Sequence, residues 1–261
     1  MTSPSWDPAQ YLRHADHRAR PFTDLLARVP DLPGTPPRIA DLGCGPGNVT
    51  RLLTERWPTA HVTGYDNSPQ MLADAAAYAT PRLDFAHADL TTWTPDEPYD
   101  LLLSNAALQW VPGHLDALPA WLDALAPGGT LAFQVPDNTD APLHTLMREL
   151  AATPRWKSRL AGVLRERNSV HPPEVYLARL GPTADIWRTT YLHVLPGPDP
   201  VLDWVKGTGL RPALDALADD PEARDTFVTE YRDLLRQAYP PHPHGTVLPF
   251  RRLFAVTTKA A

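Results

Sequence analysis

The sequence predicts an α/β protein with a mostly parallel sheet of seven strands and helices on both faces of the sheet. Short apolar segments alternate with segments of helical periodicity between residues 38 and 135. A loop with glycine at three alternate positions, Gly43, Gly45 and Gly47, follows the first apolar segment. The segment 99–105 is almost wholly apolar, as expected of a central parallel strand covered by helices.

The elements are predicted in a regular order. Pro21 fits the first turn of a helix whose apolar residues follow helical spacing. Predicted strands are 38–42, 61–65, 83–87, 99–105, 131–135, 186–195 and 251–257, the fifth preceded by a turn at 126–130. Predicted helices are 49–57, 68–78, 115–125, 200–209 and 221–239, with further helical material over 143–180. We divide the chain into an N-terminal lid and helix (1–36), a ligand-binding core (37–138), a helical insertion after strand five that covers the substrate (139–183) and a completion of the sheet (184–261).

Composition excludes several classes of protein. The chain has 261 residues, 43% apolar and 21% charged, which suits one large domain or a domain with an insertion. No apolar run approaches the ~20 residues of a membrane span. A net charge of −6 without a basic run argues against nucleic-acid binding. With one cysteine and no signal-peptide pattern at the start, we expect a cytoplasmic protein.

The glycine loop indicates a nucleotide-type ligand. Glycine lets the backbone turn sharply and approach a ligand closely, and the helix that follows offers unpaired N–H groups. A dinucleotide pattern would need glycine at position 48, where this chain has Asn48. Asp41, at the end of the first strand, either orients the turn or holds a cationic ligand, and it disfavours a phosphate. Cys44 suits close packing in the loop, with a catalytic thiol as the alternative.

Two more acids follow strands of the same sheet. Asp66 ends the second strand, 23 residues beyond Gly43, where a carboxylate reaches a ribose in this architecture. Asp89 follows the third strand. The plainer interpretation is that both acids cap helices. Because parallel strands end at one edge of a sheet, we expect the acids to lie beside the glycine loop.

Together these features resemble the class I S-adenosylmethionine-dependent methyltransferases. In that family the glycine loop lies under the methionine part of the cofactor, the second acid binds ribose hydroxyls and the third contacts adenine. The resemblance implies the Rossmann-like fold of that family and S-adenosylmethionine as cofactor. The cofactor-binding residues that it implies are Asp41, Gly43, Cys44, Gly45, Gly47, Asn48, Asp66, Asn67, Met71, Asp89, Leu90 and Asn105, with Tyr11 and Arg20 from the N-terminal segment.

A closer resemblance runs from Trp6 to Val256. The segments Asp185–Tyr191 (DIWRTTY) and Thr208–Pro212 (TGLRP) are similar to those of the bacterial trans-aconitate 2-methyltransferase family, and so are Leu108–Trp110 and Pro136–Asn138. The similarity is least around 153–172. It implies transfer of a methyl group to a carboxylate oxygen of trans-aconitate, a tricarboxylate, giving a monomethyl ester and S-adenosylhomocysteine.

The acceptor acid needs positive charge but no base. A carboxylic acid with a pKa of about 4 is already ionised at neutral pH, so the chain need only orient it. Arginine suits two-point pairing with carboxylates. The predicted acceptor-binding residues are Arg148, Arg188, Tyr191, Arg211 and Arg252, each arginine with an ordinary surface ion pair as its alternative role. Gln109, Trp110 and His193 are predicted to orient the reactants, and no metal is expected.

Three other functions stay open at this point. A methyltransferase of the same fold can act on a different small acceptor. A non-catalytic module can bind S-adenosylmethionine and act as a sensor. A dinucleotide oxidoreductase is the third, against which Asn48 argues. We expect a monomer or small homo-oligomer.

Overall fold

The computed structural model describes residues 15–164 and 170–261, with side chains from residue 20 onwards in the first range. Tyr11, a predicted cofactor contact, lies outside the described residues. The described chain folds into an α/β structure built on one sheet. No helix within these ranges is both long and apolar enough to cross a membrane.

The sheet has the order β3-β2-β1-β4-β5-β8-β6, with β7 paired to β8. Its strands are β1 (Arg38–Leu42), β2 (His61–Asp66), β3 (Leu83–His87), β4 (Tyr99–Asn105), β5 (Leu125–Pro136), β6 (Asp185–Leu195), β7 (Pro241–His242) and β8 (Gly245–Thr258). The first five strands pair in parallel and β8 runs antiparallel to β5. The predicted fold class, a mostly parallel α/β sheet, is therefore confirmed.

Strand β4 is the middle of the parallel part, between β1 and β5. Six of its seven residues are buried, as its apolar sequence predicts. The carboxyl ends of β1, β2 and β4 lie at one edge of the sheet, because the strands are parallel and in register. That edge carries the glycine loop and the segment that follows Asn105.

The helices connect and cover the strands. They are α1 (Ala15–Leu26), α2 (Arg51–Arg56), α3 (Pro69–Ala75), α4 (His114–Asp123), α5 (Pro142–Ala152), α6 (Lys157–Leu160), α7 (Pro173–Leu180), α8 (Pro200–Lys206), α9 (Arg211–Ala216) and α10 (Pro221–Ala238). Short 3-10 turns cover Ala76–Tyr78 and Leu108–Trp110. Helix α3 begins after Ser68, whose hydroxyl accepts a hydrogen bond from Met71 N–H, as the sequence predicts of an N-cap.

The predicted helix boundaries are wrong in three places. Helix α1 begins at Ala15, so Pro21 lies inside it and not in its first turn. The residues before Pro21 have no apolar periodicity that could reveal the earlier start. The helix predicted from residue 49 begins at Arg51, because the glycine loop continues to Thr50. Helix α9 was not predicted, although Pro212 lies in its first turn, where proline is tolerated.

The strand predictions are wrong at three points. The seven predicted strands are joined by an eighth, the two-residue β7, which pairs with the start of β8. Strand β8 begins at Gly245, six residues before the predicted start. The predicted turn at 126–130 is an irregularity inside β5, where Tyr99 pairs with Leu125 and Leu101 pairs with Thr130. Gly128 adopts a φ of 75° there, which glycine tolerates and other residues resist.

The described chain divides into two compact units. The larger contains 15–136, 170–189 and 252–261, and the smaller contains 137–164 and 190–251. Each has its own apolar core, centred in the larger unit on β4 and β5 and in the smaller on α5 and α10. The four segments predicted from the sequence are a different partition, and they stay a prediction.

The smaller unit depends on two buried tyrosines of α10 and its C-terminal end. Tyr231 O–H donates to the Leu143 carbonyl, and Leu143 N–H donates to the Tyr239 hydroxyl at 3.1 Å. Leu143 lies in the first turn of α5, where N–H groups have no partner within the helix. The contacts also join two elements that are far apart in the sequence.

We expect Tyr231→Phe to reduce the free energy of unfolding by about 1 to 3 kcal/mol, because the Tyr231 hydroxyl is buried and its removal leaves a buried carbonyl without its donor. Thermal denaturation followed by circular dichroism measures the loss. Tyr78→Phe is the matched control, because Tyr78 is exposed. Equal midpoints for both variants would contradict the role assigned to the Tyr231 hydroxyl.

Candidate functional site

The glycine loop is held against strand β2 and the segment after β4. The N–H groups of Gly43 and Cys44 both donate to the Tyr65 carbonyl, at 2.7 and 2.9 Å. A Cβ on Gly43, whose φ is 80°, would lie 2.2 Å from the Cβ of Ala107. Only glycine therefore allows these two segments to lie so close together.

Gly45 presents an open surface. Its φ is 56°, and no atom of the described residues lies within 4 Å of the position that a Cβ would occupy. Its N–H donates to Asp66 Oδ2 at 2.9 Å, while Asp66 Oδ1 accepts from Ser68 N–H at 2.9 Å. Asp66 thus connects the loop to the N-cap residue of α3, and each of its oxygens keeps capacity for a further hydrogen bond. The loop and the second predicted acid lie side by side.

Asp41 is a buried acid directly beneath the loop. Its side chain accepts a hydrogen bond from the Thr50 hydroxyl at 2.7 Å, and its Oδ1 has no partner among the residues that the structure describes. Burial, together with the nearby charge of Asp66, raises the pKa of Asp41 to about 7, although the hydrogen bond from Thr50 acts in the opposite direction. A buried carboxylate with a free oxygen suits a cationic partner.

Cys44 is a packing residue. It is buried, and burial raises the pKa of its thiol far above the ordinary range, with the charges of Asp41 and Asp66 acting in the same direction. A Cβ on Gly64 would lie 3.0 Å from the Cys44 Cβ, so the space around the side chain is tight. These surroundings favour the small-residue role over a catalytic thiol.

The other predicted cofactor residues that follow β2 and β3 differ in the exposure of their side chains. Asp89 is exposed, and its Oδ1 accepts from both the N–H and the hydroxyl of Thr91. The Thr91 N–H lowers the pKa of Asp89, and these contacts hold a local turn between β3 and β4. Asn67 is exposed, whereas Met71 and Leu90 are buried. Leu90 is the apolar neighbour of Gly43 at this edge.

The segment after β4 is strained. Ala106 has a φ of 55°, a left-handed conformation that is unfavourable for alanine and is typical of functional loops. Gln109 is buried, and its Nε2 donates to the Ala106 carbonyl at 2.5 Å. Its Oε1 has no partner within the described ranges. Trp110 is half-buried beside it.

Asn105 and Arg252 are connected through a residue that the sequence did not predict. Gln134 Nε2 donates to Asn105 Oδ1 at 2.6 Å, and Arg252 Nη1 donates to Gln134 Oε1 at 3.1 Å. Both Gln134 and Arg252 are buried. The available signal was a lone polar residue in the apolar strand 131–135. The structure thus joins a predicted cofactor residue and a predicted acceptor residue within the larger unit.

Two other predicted residues of the larger unit lie on the surface. Arg20 is exposed on α1 and is 3.9 Å from Asp24, an i,i+4 pair of the ordinary kind. Arg188 is exposed on β6. Its neighbour Trp187 stacks on Phe254, with ring centroids 4.9 Å apart. Trp187 is therefore a packing residue.

The smaller unit carries the other four predicted residues. Tyr191 and His193 are buried, and the His193 ring stacks on Trp204 with centroids 5.0 Å apart. Arg148 is half-buried and donates to the Thr139 carbonyl at 2.9 Å. Arg211 pairs with Asp215 at 3.1 Å, four residues further along its helix. Of these arginines, Arg211 has the contacts of an ordinary surface pair.

His144 is a further polar residue of the smaller unit that the sequence did not predict. A Cβ on Gly209 would lie 3.4 Å from the His144 ring, so the TGLRP segment packs against α5 here. Burial lowers the pKa of His144 to about 4, and the charge of Arg148 lowers it too. The imidazole is therefore neutral at pH 7.

The chemistry of the larger unit's edge fits a nucleoside-bearing cation. The bare surface of Gly45 and the two acids, Asp41 and Asp66, lie together. Across residues 15–164 and 170–261, no group of three or more His, Cys, Asp or Glu residues is arranged to hold a metal ion.

Comparisons with known proteins agree with this geometry. Residues 39–129 match a family model described as a methyltransferase domain. Proteins named trans-aconitate 2-methyltransferase from Streptomyces coelicolor and Streptomyces avermitilis are each 69% identical to the chain. The matches cover 99% of this chain and 88% and 98% of those proteins. One of the same name from Methylobacterium nodulans is 49% identical over 97% of this chain and 98% of its own.

Solved structures of low sequence identity share the fold. The YcgJ protein of Bacillus subtilis superposes with a TM-score of 0.57 at 13% identity, covering 94% of this chain and 99% of its own. A phosphoethanolamine N-methyltransferase of Haemonchus contortus, in complex with S-adenosylhomocysteine, has a TM-score of 0.53 at 16% identity. The match covers 93% of this chain and 53% of that protein's chain. The chain thus has the Rossmann-like fold of the class I methyltransferases. By its near full-length identity to three relatives of one name, it belongs to the trans-aconitate 2-methyltransferase family.

Proposed function

We propose that the chain transfers the methyl group of S-adenosylmethionine to one carboxylate oxygen of trans-aconitate, giving a monomethyl ester and S-adenosylhomocysteine. The observation that carries the proposal is the 69% identity, over 99% of the chain, to relatives named for this reaction. The edge of the larger unit supports it, because its bare glycine backbone lies beside two carboxylates.

The chain's own residues suit the parts of this cofactor. Asp41, buried and with one unpartnered oxygen, would hold the ammonium group of the methionine part. Asp66 would accept from ribose hydroxyls while keeping its contact with Gly45 N–H. The open side of Gly45 leaves room for the ligand. The other residues proposed to contact the cofactor are Gly43, Cys44, Gly47, Asn48, Asn67, Met71, Asp89, Leu90, Asn105, Tyr11 and Arg20.

When bound, S-adenosylmethionine supplies a methyl carbon on a positively charged sulfur, which a carboxylate oxygen displaces as the carbon–sulfur bond breaks. The acceptor is ionised at neutral pH, so no side chain needs to remove a proton. The task of the chain is to align the reactants and exclude water, which contributes on the order of 7 to 11 kcal/mol in favourable cases. We propose that Gln109, Trp110 and His193 do this.

Arg252 is the acceptor-binding residue with the strongest support. It is buried, it is cationic, and it pairs with Pro136 at the carboxyl end of β5. A buried guanidinium beside the ligand edge attracts a tricarboxylate even though the chain's net charge is −6. Arg148, Arg188, Tyr191 and Arg211 stay in the proposal as further contacts. The expected cytoplasmic location, absence of nucleic-acid binding and monomeric or small homo-oligomeric state stay predictions of the sequence.

The proposed reaction is tested by incubating the purified chain with S-adenosylmethionine and a panel of acids: trans-aconitate, cis-aconitate, citrate and isocitrate. We expect mass spectrometry to detect a product one methyl group heavier, formed preferentially from trans-aconitate. Methylation of a different acid would favour another acceptor. Cofactor binding with no ester from any acid would favour a non-catalytic module.

The cofactor cradle is tested by Gly45→Ala. Both Gly45 and the control position Gly113 have positive φ and open space around a new Cβ, so the two alanine variants carry similar backbone strain, about 1 kcal/mol. Only at Gly45 does the new methyl group fill the proposed ligand space. Titration calorimetry should show S-adenosylmethionine affinity reduced at least tenfold in Gly45→Ala and nearly unchanged in Gly113→Ala. Equal affinities would remove Gly45 from the site.

Ionised Asp41 is expected to destabilise the ligand-free chain and to strengthen the binding of a cationic ligand. Its pKa in the folded chain, about 7, lies above the ordinary 3.8, so ionisation opposes folding. This destabilisation is absent below about pH 3.8, grows as the pH rises and is complete above about pH 7. Asn at this position can still accept from the Thr50 hydroxyl, but it does not ionise.

We therefore expect Asp41→Asn to stabilise the ligand-free chain at pH 8 more than at pH 5, by about 5 °C in thermal midpoint. The same variant should bind S-adenosylmethionine about tenfold more weakly, because the ammonium group loses its counter-charge. Differential scanning calorimetry at the two pH values and a binding titration measure these effects. A midpoint difference that does not change between the two pH values would mean that the pKa of Asp41 is not raised in the folded chain.

A further inference from the structure

Gln134 joins three neighbouring strands through its side chain. Its amide bridges Asn105 at the end of β4 and Arg252 in β8, at 2.6 and 3.1 Å. Asn105 is directly opposite Gln134 in the register of β4 and β5, and Arg252 is opposite Pro136, two residues further along β5. Gln134 is fully buried, so the amide has no water with which to exchange these partners.

The direction of both amides is set by Arg252. A guanidinium can only donate hydrogen bonds, so the atom of Gln134 that faces it must be the carbonyl oxygen. The NH2 group of Gln134 must then face Asn105, and the atom of Asn105 that receives it must be Oδ1. The usual ambiguity between O and N of an amide is therefore removed by one charged neighbour.

The consequence is that Asn105 turns its NH2 group away from Gln134. Among residues 15–164 and 170–261, no group accepts a hydrogen bond from this Nδ2. Asn105 is only half-buried, so a ligand can reach it. It is the last residue of β4 and directly precedes the strained Ala106 at the ligand edge of the sheet.

We infer that Gln134 is a positioning residue that locks Asn105 as a hydrogen-bond donor toward a ligand carboxylate at this edge. The inference rests on the proposed function, in which both S-adenosylmethionine and trans-aconitate carry carboxylates. A donor amide and a buried guanidinium, held on either side of Gln134, are both groups that attract an anion. Either molecule can supply the carboxylate, and the experiment distinguishes them.

There is a physical reason why position 134 has an amide and not a carboxylate. Glutamate there would accept from Arg252, neutralise its charge and present a second acceptor to Asn105. Asn105 would then have to rotate and donate to residue 134, turning Oδ1 toward the ligand. Glutamine orients Arg252 without neutralising it, and it leaves the Asn105 donor available to the ligand.

The test is Gln134→Glu in the full chain. We measure the dissociation constant of S-adenosylmethionine by calorimetry, and KM and kcat for trans-aconitate by ester formation. We expect either the dissociation constant of S-adenosylmethionine or the KM for trans-aconitate to rise by about 10- to 100-fold, which is the effect of losing a hydrogen bond to a charged group. The constant that rises identifies the ligand that Asn105 contacts. Gln237→Glu, the same change on the exposed face of α10, is the control and should alter neither.

A double-mutant cycle separates positioning from general damage. If Gln134 acts through Asn105, then Gln134→Glu in an Asn105→Ala background should change the affected parameter less than threefold, because the donor is already absent. Equal effects of Gln134→Glu in both backgrounds, or no effect of Gln134→Glu on either ligand in a folded variant, would overturn the inference.

If Gln134→Glu does not fold, the inference can still be tested on the wild-type chain. The side-chain NH2 signals of Asn105, assigned in a 15N–1H spectrum by comparison with Asn105→Ala, should shift when S-adenosylhomocysteine or trans-aconitate is added. Shifts with neither ligand would overturn the inference. Absence of ester formation by the wild-type chain would instead count against the proposed function, because the spectral test does not need turnover.

Discussion

The structure depends on a sheet edge where backbone, not side chain, faces the space of the proposed ligand. A Cβ on Gly43 would lie only 2.2 Å from the Ala107 Cβ, and Gly45 leaves an open surface. The loop keeps this form because β2 accepts its N–H groups through Tyr65 and because Asp66 binds Gly45 N–H. The parallel strands β1, β2 and β4 bring these segments to one edge, with β1 between the other two.

The same edge concentrates negative charge that the fold alone does not require. Asp41 is buried close enough to Asp66 for the two charges to interact, and its raised pKa is a loss of folded-state stability at neutral pH. Such an arrangement is expected where a cationic ligand supplies the missing counter-charge. Arg252 has the opposite sign and is held by Gln134 across β5. The larger unit thus carries a buried acid and a buried guanidinium, the two charges that the proposed sulfonium donor and carboxylate acceptor would need.

The sequence predicts the parts of the fold whose signals are local. The parallel strands end within a residue of their predicted limits at Leu42, Asp66, His87 and Asn105, because apolar runs and terminal acids mark them. It fails where the deciding contact is distant. The Pro-Gly-Gly segment is part of β5 because β4 pairs on both sides of it, and nothing within the segment shows this.

The candidate site was predictable to a similar degree. Asp41, Asp66 and the glycines are recognisable from their positions at strand ends, and the structure places them together. Gln134 and Thr50 could not be found this way, since their importance comes from the partners that neighbouring strands bring to them. Arg20 and Arg211 show that a charged residue in a suggestive motif can form an ordinary surface ion pair, which the motif alone does not reveal.

The central claim is that this edge binds S-adenosylmethionine and not a dinucleotide. Isothermal titration of the ligand-free chain with S-adenosylmethionine, and separately with NAD, tests it most directly. We expect one S-adenosylmethionine to bind per chain and no heat of binding with NAD. Asp41 disfavours a phosphate, and Asn48 replaces the third glycine of the dinucleotide pattern. Binding of NAD, or no binding of S-adenosylmethionine by a folded chain, would contradict it.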